Sequence, residues 1–401
     1  MRIGIDARPL QGETRFRGIG KTEEFCLKSM AGLPDAAGHL FVFYIDSVLP
    51  EPEILQLFAN RKIIGVKSPR LGQKRYFRSF LPSSRPARPQ QTDVDVFLQF
   101  DAALGIPSTV PTVAVFYDLI PWLFRDKEKK DTSSLRTARR LKNELAGQLY
   151  WQKYMRFLRS FRNATHLLAI SQSSRDDLLK HFPDIKGDKV SVLPLGVDDS
   201  FFERAKDPSP TIRLLAKKPY ILYVGGIDTR KNITELVRVL YSLKNTYPAF
   251  RLVVVGKEFS LQDQLTDRGW FDELYKNETY MKDVVTAGFV SHDDLLYLYS
   301  HAACFVFPSL YEGFGLPILE AMAAGCPVVA YKTSSLPEVA GNAGILIDPG
   351  ISLAEPVGKL LSNQKKITLL RSAGKKHAKN YTWDKTSSQL LNALEKYGRA
   401  Q

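Results

Sequence analysis

Residues 308–325 read Pro308-Ser309-Leu310-Tyr311-Glu312-Gly313-Phe314-Gly315-Leu316-Pro317-Ile318-Leu319-Glu320-Ala321-Met322-Ala323-Ala324-Gly325. The apolar, aromatic run before them, Ala303 to Phe307, has the pattern of a buried strand. Their second half predicts a helix with Pro317 at its first position, where a missing N–H costs nothing. Gly325 marks its end, and Pro327 stands just beyond. A strand, a glycine-rich turn and a helix start together suit an anion. Free backbone N–H groups point out of the helix start, and the helix dipole adds partial positive charge. Gly313 and Gly315 are read as permitting close backbone approach and positive φ. Glu320 falls one turn into the helix, while Glu312 is on the loop. A carboxylate there suits a vicinal diol, because it accepts two O–H bonds at once. The plainer reading is a capped helix after a tight turn, with Glu320 complementing the dipole.

The rest of the chain alternates strand and helix patterns twice over, which predicts α/β domains with parallel sheets. Its 401 residues exceed one ordinary domain and fit two of about 200. An apolar fraction of 44% supplies cores, and no run of 18 apolar residues offers a membrane span. The opening Met1-Arg2-Ile3-Gly4-Ile5-Asp6 reads as a strand rather than a signal peptide, since Asp6 interrupts the apolar run early. Cys26, Cys304 and Cys326 lie far apart among apolar neighbours and read as inert packing in a reducing compartment. With six scattered histidines they offer no metal-ligand spacing. The net charge of +14 calls for an anionic partner.

Several glycine turns lie before helices. Arg17-Gly18-Ile19-Gly20-Lys21 follows the first strand. It fails as a P-loop, because Arg15 stands where that motif needs glycine, and as a dinucleotide fingerprint, because Glu23 replaces the third glycine. Gly225-Gly226-Ile227-Asp228-Thr229-Arg230-Lys231-Asn232 follows the strand Tyr220 to Val224, with a helix expected from Ile233. Two adjacent cations at a helix start oppose the dipole. A rule broken beside a glycine turn favours function, and guanidinium grips phosphate bidentately.

The 308–325 stretch resembles the E-x7-E segment of family 4 glycosyltransferases, with glutamates, glycines and proline all in register. That resemblance implies the GT-B architecture: two Rossmann-like domains facing each other across a cleft, and a C-terminal helix returning to the N-terminal domain. The domains would be 1–200, with helix 382–401, for the acceptor, and 201–381 for a nucleotide sugar. It implies retaining transfer of a hexose from a nucleotide-diphosphate donor. Glu312 would lie by the donor sugar, Glu320 would bind the ribose, and the amides of Gly313, Phe314, Gly315 and Leu316 would line the diphosphate. Lys231 matches the family's phosphate-gripping lysine. Gly226, after Gly225, stands where the family has arginine, and Arg230 is the candidate replacement.

In the N-terminal half the resemblance implies that Gly18 and Gly20 approach the donor, although a plain turn fits them too. Tyr117-Asp118-Leu119 stands where family members carry His-Asp-Leu. Tyr117 brings a hydrogen bond but no charge. Asp118 suits an acceptor hydroxyl or a helix cap. Ser171 suits an N-cap or, by resemblance, the diphosphate. No Asp-x-Asp motif sits at a suitable strand end, so no metal and no cofactor are expected, with cations replacing a divalent ion. The stretch Arg61 to Gln90 has no acids and interleaves Phe77, Phe80 and Leu81 with basic residues. It suits a solvated loop, an anionic membrane surface or a polyprenyl-pyrophosphate-linked glycan acceptor. No nucleic-acid module is recognised. The expected setting is the cytoplasm, at the inner face of the membrane, with GDP-mannose the donor by resemblance alone. Other enzymes of the fold (an epimerase or phosphorylase) and a non-catalytic basic protein are the alternatives.

Overall fold

The computed structural model describes residues 1–11, 15, 18–66, 94–101, 110–125, 148, 151–152, 154–256 and 283–398. The chain divides into two units: Met1–Leu119, Lys129–Gly196 and Trp383–Gln401 form the first, and Ile120–Glu128 with Val197–Thr382 the second. The division at Val197 has a local cause. Val197 N–H donates to the Tyr381 carbonyl at 3.0 Å, and Val197 pairs in parallel with Thr382, so the two chain passages run side by side there.

The first unit holds seven parallel strands: β1 Arg2–Asp6, β2 Leu40–Asp46, β3 Arg61–Val66, β4 Val96–Gln99, β5 Thr112–Phe116, β6 His166–Ala169 and β7 Val190–Val192. Their order is β3-β2-β1-β4-β5-β6-β7, with Ile3 opposite both Phe41 and Val96. Strands β4, β5 and β6 are buried throughout, the mark of a sheet covered on both faces. The C-terminal helix, Trp383–Gly398, belongs to this unit. Trp383 stacks on Phe25 at 5.2 Å, the Ser387 hydroxyl donates to the Cys26 carbonyl, and Leu390, Leu391 and Leu394 are buried.

The second unit holds six parallel strands: β8 Tyr220–Val224, β9 Arg251–Val255, β10 Val284–Gly288, β11 Cys304–Phe307, β12 Val328–Tyr331 and β13 Ile345–Ile347. Their order is β10-β9-β8-β11-β12-β13. The helix Leu316–Ala323 is central: Ile318, Leu319, Ala321, Met322 and Ala323 have no exposure at all. A helix apolar on nearly every side belongs inside, and this one follows β11 directly into the core. Each sheet reverses its strand order once, between β1 and β4 and between β8 and β11. Open α/β sheets bind ligands at the strand carboxyl ends beside such a reversal.

Some expectations need adjustment. The central helix begins at Leu316, so Pro317 is its second residue, still among the positions without an intrahelical N–H bond. The prolines around residues 206–218 suggest a boundary before the second domain, yet Pro210–Leu215 there is a short helix started by its proline. The strand expected from Asp93 to Phe100 is confined to Val96–Gln99, and Asp93 lies outside the described residues. So do residues 67–90 of the acid-free stretch and most of 125–162, where the sequence pattern suggests a helix.

Candidate functional site

Strand β11 delivers the chain, fully buried at Phe307, to the loop that begins at Pro308. Gly315 caps the following helix at φ +107°. That conformation requires glycine, and a Cβ there would also have to push the end of the Leu336 side chain, 2.9 Å away, aside. Gly313 is not among the described glycines with positive φ, so only one of the two loop glycines is needed for that conformation. No side chain caps the helix start; Pro317 has no N–H and the Ile318 N–H bonds the Gly315 carbonyl at 3.0 Å, so the donor left to meet an anion in that turn is the Leu316 N–H. Glu320 is half-buried one turn in, and its Oε2 accepts the Tyr299 hydroxyl at 3.1 Å. Burial and the Glu320 carboxylate push the Tyr299 phenol well above its ordinary value, so it remains a donor.

The turn after β8 meets this loop. Tyr223 donates from its hydroxyl to the Gly226 carbonyl at 2.7 Å, and Gly225 N–H donates to Val255 O. A 3-10 turn, Thr229–Lys231, ends at Asn232 in the left-handed region (φ +49°), and the helix Ile233–Lys244 follows. Here the two cations converge on one carboxylate. Lys231 Nζ donates to Glu312 Oε1 at 2.6 Å, and Arg230 Nη1 donates to Glu312 Oε2 at 2.9 Å and to the Tyr311 carbonyl at 2.9 Å. Arg230 Nε also lies 3.0 Å from Asp228. Lys231 and Glu312 are each 8% exposed. Burial pushes the Glu312 carboxyl up, but Lys231 and Arg230 more than offset this and hold it below the usual carboxylate range.

The pairing explains how adjacent cations are tolerated before a helix: Glu312 and Asp228 balance them. Both oxygens of Glu312 already face a cation, so the three side chains act as one assembly. One further set of residues lies where the sequence, by its resemblance, suggests only the loop after a strand. Thr333, Ser334 and Ser335, after β12, hydrogen-bond the 309–314 loop.

The first-unit candidates gather around the ends of β5 and β6. Ser171 caps the helix Gln172–His181, accepting the Ser174 N–H at 3.0 Å, and the Ser174 hydroxyl donates to the Tyr117 carbonyl at 2.7 Å. Ser171 is buried and committed to that cap. The Tyr117 hydroxyl is buried beside Thr22 without a hydrogen bond of full geometry among the described residues. Burial, with Cys26, Glu23 and Asp101 nearby, pushes this phenol well above its ordinary value. Asp118 is half-buried. Gly18 and Gly20 are not a loop before the helix but lie in its first turn, Gly18–Ala31. The loop was read too long because glycine propensity hid the helix start.

At the end of β1, the buried Asp6 takes a bidentate ion pair from Arg8 and a bond from Gln99 Nε2 at 3.2 Å. Glu23 beside it is fully buried, and neither carboxyl oxygen has a partner among the described residues. Burial first, then Asp6 and Asp101, push Glu23 well above the ordinary range, so it is held as the neutral acid. A signal for it existed: Glu23, Leu27 and Met30 fall on one helical face, which is the buried one.

Among the described residues no group of three His, Cys, Asp or Glu side chains is disposed to hold a metal ion. The two halves each match a known family model. Residues 32–201 match Glycosyltransferase Family 4, and residues 208–377 match Glycosyl transferases group 1. O-antigen chain mannosyltransferase B of Escherichia coli is 32% identical over 248 residues, 59% of this chain and 62% of that protein. The MMP alpha-(1->4)-mannosyltransferase of Mycolicibacterium hassiacum is 29% identical over 243 residues, 59% of this chain and 55% of that protein. The chain thus matches less than two thirds of the length of these relatives. Among solved structures, sucrose-phosphate synthase from Thermosynechococcus elongatus superimposes with a TM-score of 0.68 at 18% identity, over 100% of both chains. Anabaena HepE, in complex with UDP and glucose, does so with a TM-score of 0.63 at 18% identity, over 98% of this chain and 99% of that one. With two doubly wound parallel units, an E-x7-E loop at the second unit's strand reversal, and family models matching either half, the chain belongs to the family 4 glycosyltransferases of GT-B fold.

Proposed function

We propose that the chain is a retaining glycosyltransferase that moves a hexose, mannose, from a nucleotide-diphosphate sugar to a glycan or lipid-linked glycan acceptor. The observation that carries this reading is the convergence of Arg230 and Lys231 on Glu312, beside an uncapped helix start that bears Glu320. Breaking a glycosyl phosphate bond leaves negative charge on the diphosphate. Preorganised cations and N–H groups aimed at that charge are each worth about 10²–10³ in rate. Arg230, Lys231 and the amides of Gly313 to Leu316 supply them without a metal ion. Glu312 holds both cations in place, and its remaining lone pairs accept sugar hydroxyls. Glu320 accepts the ribose diol, with Tyr299 fixing its other face. Asp118 orients the acceptor hydroxyl, while the Tyr117 hydroxyl expected to help is turned into the interior beside Thr22. The acceptor attacks on the face the diphosphate leaves, and a phosphate oxygen takes its proton, which retains configuration.

Mannose is supported by the names of the relatives, and a nucleotide diphosphate by the UDP complex of HepE. The charge of +14 supports an anionic, lipid-linked acceptor at the inner membrane face. Among the described residues no helix is long and apolar enough to cross a membrane, so the attachment would be peripheral. The test is incubation of labelled nucleotide sugars with lipid-linked and soluble acceptors, followed by product analysis. A glycoside of retained configuration is expected. Free sugar or an epimer alone would reject transfer, and full activity on soluble sugars without vesicle binding at low salt would reject the membrane role.

A further inference from the structure

After β12 the chain presents three consecutive hydroxyl side chains, and each serves the Glu312 loop rather than its own segment. Thr333 Oγ1 donates to the Ser309 carbonyl at 3.1 Å. Ser334 Oγ accepts the Glu312 N–H at 2.8 Å. Ser335 Oγ donates to the carbonyls of Glu312 at 2.9 Å and Phe314 at 2.7 Å. Two neighbouring serines therefore satisfy both main-chain groups of Glu312.

Each serine gives up a local preference to do so. Ser334 sits at φ +43°, a left-handed conformation that costs every L-residue and is tolerated best by glycine, asparagine and aspartate. Ser335 precedes the helix Leu336–Ala340 at the N-cap, where serine ordinarily accepts an N–H of the first turn. It makes no such bond there, and it is fully buried against the loop instead. Strained or misapplied residues persist where the surrounding structure requires them. The opposite side of the loop is pinned too: Arg230 receives the Leu310 N–H on its carbonyl at 2.7 Å and donates to the Tyr311 carbonyl. Glu312 is the residue both sides hold, the serines by its main chain and Arg230 by its carboxylate.

We propose that Thr333, Ser334 and Ser335 form a positioning clamp that sets the Glu312 carboxylate between Arg230 and Lys231, with Ser334 as its determining residue. This rests on the transferase reading above and adds residues to that site. The decisive variant is Ser334→Gly, which removes the hydroxyl and the backbone strain together. A hydroxyl that merely stabilised the fold would make turnover and Tm change in step. The clamp requires them to separate. In Ser334→Gly, kcat falls by about ten-fold or more, since misplacement by about 1 Å costs up to about 10². Tm holds or rises, and the affinity for nucleotide diphosphate stays within about two-fold of the original. Ser334→Asn, which tolerates the left-handed conformation and offers a side-chain oxygen, recovers part of kcat. Wild-type kcat in Ser334→Gly overturns the clamp, as does a parallel loss of kcat and Tm that Ser334→Asn leaves unrestored. A wild-type chain that turns over no nucleotide sugar instead overturns the function, and this role with it.

Discussion

Each unit has one place where its strand order reverses, and the two places carry opposite chemistry. Between β1 and β4 stand Asp6, Asp101 and Glu23, with Arg8 as the cation that pairs Asp6. Between β8 and β11 stand Arg230 and Lys231, with Glu312 as the anion that pairs both. In the first, carboxyl groups outnumber the cation, and Glu23 responds by remaining a neutral acid. In the second, two cations share one buried carboxylate, and that carboxylate remains ionised. The same topology makes both crevices. The side chains at the strand ends decide that a buried carboxyl is kept neutral in the first and ionised in the second.

This contrast can be broken experimentally. The largest effect is expected for Lys231→Ala, which removes a cation from the second reversal. Turnover should fall about 10²–10³-fold with nucleotide affinity less affected. Steady-state kinetics on the labelled donor read this, and an unchanged kcat would detach Lys231 from the chemistry. Next is Glu312→Gln, which leaves buried Lys231 facing a neutral amide and half-buried Arg230 with Asp228 as its anion. Breaking such a pair costs about 3–5 kcal/mol, seen as a lower denaturant midpoint. Added nucleotide diphosphate should then raise Tm more than it does in the original chain, because it supplies the missing anion. An equal rise in both would mean that the phosphate binds elsewhere.

Glu320→Ala should weaken nucleotide binding by roughly ten-fold, the worth of a hydrogen bond to a charged group, and lower Tm modestly, because the buried Tyr299 hydroxyl loses its acceptor. Calorimetric titration with the nucleotide alone is sufficient to measure it. The smallest effect sharpens the first reversal. The Glu23 carboxyl is pushed up in the folded state, so its contribution to stability is complete below the ordinary glutamate range and is lost as pH rises from there. Glu23→Gln should therefore be the more stable chain at pH 8, and the difference should close toward pH 4. A difference independent of pH would show that Glu23 is ionised where it lies.

Much of the fold was legible from local pattern. Strands β5, β8 and β12, and the helix start at Ile233, stand where apolar runs and turn residues put them. Other features were hidden by composition. The glycines of Gly18-Ile19-Gly20 look like loop but lie in a helix, held by the buried face that includes Cys26, Leu27 and Met30. Prolines near residues 206–218 look like a linker, yet one of them begins a helix.

What the sequence determined by itself is the material of the site: a glycine turn with two cations, a loop and helix with two glutamates, and the order of strands that carries them. Those are short-range properties, set by spacing along the chain and by the preferences of single residues. Only the tertiary structure decided that Glu312 lies between Arg230 and Lys231, some eighty residues away in sequence, and that Ser334 and Ser335 forgo their local preferences to hold its main chain. Hydrogen bonds and ion pairs act over about 3 Å in space and leave no periodic trace along the chain. They become visible when the parallel sheet brings the ends of β8, β11 and β12 side by side.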